Sequence, residues 1–228
     1  EDNPSNNFAT FNRNIAENGS MDYTNGATKI KTASGYGNQV SNSGFSSLGM
    51  STGKYYAEFT PKTAGNNLIG VAYDLDVHQR GTSANMYNFA YTTIGFAYND
   101  GGSVGNDSVG YTSSGYASYT ADDVIGIGLD LDNNKLYVSK NGVWQNSGTG
   151  YSITADKEYF FAVADNQGAA VNYTEANFGN GAFGSVQLTG TTYQGADGNG
   201  IFKYNPNNIT LDGVSKSFKS LSTKGLNT

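Results

Sequence analysis

The chain has 228 residues and a formal net charge of −6, and its 13 Lys plus Arg form no basic run, so phosphate-backbone binding has no electrostatic footprint. It has no Cys, which removes disulfides, thiolate nucleophiles and thiol-based zinc sites, and no apolar stretch is long enough to cross a membrane as a helix. The 31 Gly, 17 Tyr and 12 Phe against 3 Pro suit many short strands joined by Gly and Asn turns, and 13% aromatic content argues against disorder. One all-β domain is expected over residues 1–228, with nucleic acid and membrane insertion excluded as partners and no cofactor. The chain opens on Glu1 without a charged and apolar leader, which reads as a processed product or an excerpt of a longer protein.

In chain order, residues 1–49 are rich in Asn, Ser and Gly and read as an extended flap over the sandwich. From Lys54 the pattern sharpens. YYAEFT alternates, and NLIGVAYDLDV and NFAYTTIGFAY read as mostly buried strands, followed by NDGGSVGNDS as a loop. DDVIGIGLDLD leads into LDLDNNKLYVSKNGVW, which reads as a meander. A two-residue turn at Asn133-Asn134 sets Asp132 opposite Lys135, Leu131 opposite Leu136, Asp130 opposite Tyr137 and Leu129 opposite Val138. Asn141-Gly142 supplies the second turn. EYFFAVAD and AAVNYTEANFG follow as strands, and residues 181–228 read as an ordered C-terminal segment. No repeat of 20 to 50 residues is present.

The series GKYYAEFT (53–60), LIGVAY (68–73), GFAYNDGG (95–102), DDVIGIGLDLDNNKLYVSKNGVW (122–144), YFFAVADN (159–166) and ANFG (176–179) resembles the SPRY domain family over about residues 50–180. The most specific piece runs from Asp123 to Gly142. The resemblance implies a concanavalin-like jelly roll: a sandwich of two antiparallel β-sheets that binds proteins through loops at one end and is not an enzyme. The flanks DNPSNNFATFN (2–12) and DGNGIFKYNP to SFKSLSTKGLN (197–227) look like segments that bracket SPRY domains in structural proteins of tailed, marine phages. They depart from that pattern at Phe11 and Gly225. The resemblance implies a location on the virion, with particle proteins or a host-surface protein or glycan as partners, and possible homo-oligomers. A secreted glycan-binding module is the alternative.

Asp74, Asp76 and His78 alternate, so on a strand they would share one face and could ligate a divalent metal; a solvated strand end is the plainer reading. Asp130 and Asp132 also alternate, and paired carboxylates can serve glycoside hydrolysis, but Lys135 opposite Asp132 favours an ion pair. A Ser-His-Asp arrangement would have to use His78, and no nucleophile elbow is read in the chain. Gly126 and Gly128 lie inside a strand pattern, which points to close approach by another backbone or a large aromatic. Tyr87, Tyr91, Tyr98, Tyr111, Tyr116 and Tyr119 crowd one stretch, and Tyr87, Tyr111, Tyr116 and Tyr119 are expected at loop positions suited to recognition. Trp144 is expected at the sandwich edge and is carried as a further candidate. The sequons at Asn18, Asn106, Asn172 and Asn208 carry little weight in a chain this rich in Asn, Ser and Thr.

Overall fold

The computed structural model describes residues 6–14, 21–32, 43–65, 67–75, 89–90, 94–106, 113–165 and 172–227. Two sheets dominate. The larger runs in the order Asp22–Thr24, Lys29–Thr32, Asn172–Asn177, Lys54–Pro61, Ile125–Asp130, Lys135–Lys140 and Val143–Trp144. Tyr151–Ser152 adds to Lys135–Lys140, and Lys219–Ser220 adds in parallel to Lys54–Pro61. The smaller sheet runs Ser43–Phe45, Phe160–Asp165, Asn67–Ala72, Gly95–Asn99, Ser103–Gly105 and Ser113–Ser114, antiparallel throughout.

The alternation in the sequence sorts side chains between layers. Tyr55, Ala57 and Phe59, with Ile125, Ile127 and Leu129, and with Leu136 and Val138, turn inward to Ile69, Val71, Tyr98, Phe161 and Val163 of the smaller sheet. Phe59 lies 6.0 Å from Phe161 and 5.8 Å from Phe178, ring centroid to ring centroid. This is the inter-sheet core. The opposite faces are covered too. Leu68, Ala72, Ala97 and Ala162 pack under Leu75, Phe89 and Ala90 on one side, and Tyr56 and Tyr137 pack under Phe202, Leu211 and Phe218 on the other.

Several expectations change. Residues 1–49 are not a flap where the structure describes them, because they supply two strands to the larger sheet and one to the smaller. Phe11 and Ile30 are buried in the shared core. The loop 99–108 contains the strand Ser103–Gly105, and NFAYTTIGFAY narrows to Gly95–Asn99, with Phe89 and Ala90 in a turn. In the hairpin, Lys135 faces Asp130, Leu136 faces Leu129 and Val138 faces Ile127, so the register is displaced by two residues. The cause is local. Asp130 accepts hydrogen bonds from the Asn133 backbone N–H (3.2 Å) and amide (2.9 and 3.1 Å), which closes a turn over residues 131–134, while Leu131 bonds to Gly53 instead. An even displacement leaves every side chain on its expected face, so the leucines still point inward. The second turn is as expected: Asn141 and Gly142 have φ of 49° and 81°, both in the left-handed region that a two-residue hairpin turn of this type requires.

Gly126 and Gly128 open a trough on the outer face. A Cβ at Gly128 would sit 3.0 Å from Phe218 and 3.1 Å from Trp144, and one at Gly126 would meet the Tyr56 hydroxyl at 2.4 Å. Large aromatics therefore fill the space, as expected. Tyr56 and Trp144 come from strands of the sheet itself, and Phe218 from a segment more than 70 residues downstream, roughly 202–218, that lies across the sheet. Phe202 sits edge-on to Tyr56 at 5.1 Å, and Phe218 stacks on Trp144 at 6.0 Å. Lys216 then reaches under this cover to Asp130, 2.7 Å away, and both side chains are buried. Removing one partner of a buried pair leaves an unsolvated charge, which is costlier than removing both. Lys216→Met is expected to destabilise the fold by about 3 kcal/mol, and adding Asp130→Asn to recover a large part of that loss. Chemical denaturation of the two variants checks this; equal or additive losses would contradict it.

Candidate functional site

Strand Asn67–Ala72 ends opposite Phe160 and Gly95, so Tyr73, Asp74 and residues 154–159 gather at one end of the sandwich. The bridge of Met50 to Tyr159 and the pairing of Lys54 with Asp130 bring residues 50–53 and 131–134 of the larger sheet to the same end. Here the Tyr73 and Tyr159 rings meet edge-on at 5.3 Å, and the Tyr159 hydroxyl donates to the Thr154 carbonyl at 2.9 Å. Lys157 lies 5.0 Å above the Tyr73 ring and 3.5 Å from Asp74, both charges half-exposed. Such a pair contributes little to stability, about 0–1 kcal/mol. Asp74 and Asp156 have φ of 52° and 57°, left-handed conformations that short acidic side chains tolerate better than most. Mixed aromatic, cationic and anionic groups on turns held by two sheets suit recognition rather than turnover.

The sequence candidates separate sharply. Asp74 is engaged by Lys157, while Asp76 and His78 lie outside the described residues. Tyr87, Tyr91 and Tyr111 lie outside them too. Tyr116 and Tyr119, expected on loops, are buried in the inter-sheet core beside Tyr98. Tyr119 donates to the Tyr98 and Asn67 carbonyls at 2.9 and 2.8 Å, so these rings serve packing. Trp144 is at the sheet edge as expected, half-buried between Tyr56 and Phe218. The spacing G-x-S-x-G does occur, at residues 49–53 and at residues 101–105, contrary to the reading of no elbow; Ser51 lies in the bends ahead of strand Lys54–Pro61, not between a strand and a helix. Ser103 opens a strand in a β-hairpin rather than the turn between strand and helix that a nucleophile needs, and its N–H bonds to the Asn99 side chain.

The paired aspartates are structural. Asp132 accepts hydrogen bonds from the Lys54 ammonium and the Gly53 N–H, and Lys54 holds its carboxyl below the usual range against a smaller opposing effect of burial. Asp130 is tied to Lys216 and Asn133, with Lys54 at 3.9 Å. The expected Asp132–Lys135 pair does not form, since Lys135 donates to Ser152 at 3.0 Å. Cations engage both carboxyls, so each is held in an ion pair of the fold.

Glu58 was missed. It occupies the outward position of YYAEFT between Tyr56 and the downstream cover and is completely buried, with no ion-pair partner among the described residues. Its carboxylate accepts from the backbone N–H groups of Lys203 (2.9 Å) and Tyr204 (2.8 Å), from Asn177 (3.0 Å) and from the Tyr56 hydroxyl (3.3 Å). Burial outweighs these four donors and pushes the carboxyl up to about 7. A lone acid in an apolar strand was the available signal, but its partners lie 145 residues away.

The flanks interlock beside the start of strand Lys54–Pro61, where Lys219–Ser220 pairs with Tyr55 and Tyr56. Phe8 bridges Ser222, Ala9 donates to the Leu221 carbonyl, Thr223 donates to the Asn7 carbonyl, and the Asn6 and Asn199 amides exchange hydrogen bonds at 2.8 and 3.0 Å. The two unusual flank residues follow from this packing. Phe11 lies edge-on to Phe178 at 5.6 Å, and a Cβ at Gly225 would be 2.5 Å from the Ser220 carbonyl oxygen.

No protein-family model and no curated protein sequence matches the chain. Among solved structures it is similar to the SPRY domain of human HERC1, with a TM-score of 0.55 and 18% identity over 73% of this chain and 96% of that one. It is also similar to the TRIM65 PSpry domain, with a TM-score of 0.54 and 11% identity over 75% of this chain and 92% of that one. The chain is therefore a nearly all-β sandwich with the SPRY-like fold.

Because Glu58 holds a proton in the folded state at pH values where the unfolded chain has released it, folding stability falls as pH rises from 4.5 to about 7. The loss over that window is at most about 3 kcal/mol. Thermal melts of the protein and of Glu58→Gln across the window check this. The variant is expected to show a flatter pH dependence, and an equal slope in both would contradict it.

Proposed function

We propose that this chain is a non-enzymatic recognition module, a component of a virus particle that binds proteins through the loops at the Tyr73–Asp74 end of its sandwich. The observation that carries the reading is the SPRY-like fold, since SPRY domains mediate protein–protein interaction through such loops. The state of the carboxylates supports it. Asp130 and Asp132 are neutralised by lysines and Glu58 is sealed beneath the outer-face cover, so each is spent on the fold. The particle location rests on the flank sequences, whose likeness to segments bracketing SPRY domains of tailed phages extends over both ends. Partners are then capsid, tail or fibre proteins, or a host-surface protein.

Mass spectrometry of purified particles is expected to recover this chain, and the tagged protein is expected to retain particle or host-envelope proteins from a culture extract. Lys157→Glu together with Asp74→Asn, a residue that tolerates the left-handed backbone at position 74, turns the balanced pair into a net negative charge at the sandwich end. It is expected to weaken the captured interaction about tenfold with Tm nearly unchanged. Absence from particles would remove the location, and undiminished capture by the variant would move the binding surface elsewhere.

A further inference from the structure

Downstream of the sandwich strands, the chain folds into a surface cleft of about 810 Å³. That volume lies within the range of small-ligand sites. Its lining includes Tyr193, Gln194, Asn205, Asn207, Asn208 and Ser217, and among the described residues none that lines it carries a charge. None of these residues belongs to the sandwich-end loops.

The cleft is preorganised by hydrogen bonds within its own walls. Tyr193 and Phe202 exchange two backbone hydrogen bonds of 2.9 and 2.8 Å, so the buried Phe202 fixes the backbone of a tyrosine whose side chain remains 36% exposed. The Asn207 N–H donates to the Asn205 side chain at 3.0 Å, and the Asn208 N–H donates to the Ser217 hydroxyl at 3.0 Å. The Asn207 amide donates to the Gln194 carbonyl at 2.7 Å, joining the two walls. Its amide oxygen is shielded from solvent and accepts no hydrogen bond among the described residues.

We propose that this cleft binds a neutral saccharide. Sugar hydroxyls both donate and accept, and side-chain amides and hydroxyls are the groups that answer both demands without charge. The C–H face of a pyranose matches the exposed Tyr193 ring, which combines apolar area with a polar tip. An apolar ligand would leave the amides unpaired, and a sulfated or uronate ligand would find no cation in the lining. A preformed wall lowers the ordering cost of binding a flexible, hydrated ligand.

The test is nuclear magnetic resonance of the ¹⁵N-labelled full chain titrated with cellohexaose, laminarihexaose and mannohexaose, with an oligoguluronate as the charged comparison. Binding by at least one neutral oligomer at millimolar concentration or below is expected, with amide shifts concentrated in residues 193–198 and 205–208. Tyr193→Ala and Gln194→Ala leave the backbone hydrogen bonds intact, and each is expected to weaken binding about tenfold. The sandwich-end double variant is expected to bind the sugar normally, which separates this site from the protein-binding reading. Silence of all three neutral oligomers, shifts confined to other regions, preference for the uronate, or undiminished binding by Tyr193→Ala would each overturn the proposal.

Discussion

The structure depends on a buried carboxylate meeting two backbone amides across the outer face of the larger sheet. That face presents Tyr56, Glu58, Tyr137 and Ser139 around the bare backbone of Gly126 and Gly128, too polar to be a core and too aromatic to be left wet. The C-terminal segment resolves the conflict by donating the Lys203 and Tyr204 amides to Glu58 and setting Phe202 and Phe218 beside it. Its second anchor, Lys216 on Asp130, closes the same surface near the 131–134 turn. Burying Phe202, Leu211 and Phe218 contributes about 2 kcal/mol each at typical transfer values, but only in the register that the two carboxylates fix.

This arrangement makes three layers of cover from two sheets. The inter-sheet core follows the inward alternation of both, and each outer face receives a segment that is not a strand of either large sheet. Strand Lys54–Pro61 is consequently buried along nearly its whole length, as in a sheet packed on both sides. The interlocked flanks complete the closure by joining residues 6–11 to residues 199–223. An ordered scaffold of this kind leaves its turns as the places where recognition is free to vary.

The charge economy supports the same division of labour. The acidic side chains that look catalytic in a linear reading are consumed within the fold, Asp130 by Lys216 and Asn133 and Asp132 by Lys54, and Asp123 is likewise held by Lys140 and Asn141. The sandwich end keeps a half-exposed pair, Asp74 and Lys157, together with an aromatic ring. Among the described residues, none that lines the downstream cleft carries a charge. Two surfaces of different chemistry thus sit on one scaffold, one carrying an aromatic ring and an ion pair and the other amides and hydroxyls.

By itself the sequence determined the layers. Alternation in YYAEFT and VIGIGLDLD placed the same side chains inward that the structure buries, because the two-residue period survives even the displaced register of the 129–144 hairpin. Asn141-Gly142 fixed its turn, since few other pairs accept two left-handed residues. Gly126 and Gly128 announced a close neighbour without naming it. What only the tertiary structure decided was the identity of partners far apart in the chain. These include Glu58 with Lys203 and Tyr204, Asp130 with Lys216, and Phe218 in the glycine trough. It also decided that Tyr116 and Tyr119 turn inward, and that residues 22–32 extend a sheet instead of lying over it. Local patterns encode which face a residue takes. Which distant segment covers that face is set by packing and by satisfying buried polar groups, and neither has a signature in neighbouring residues.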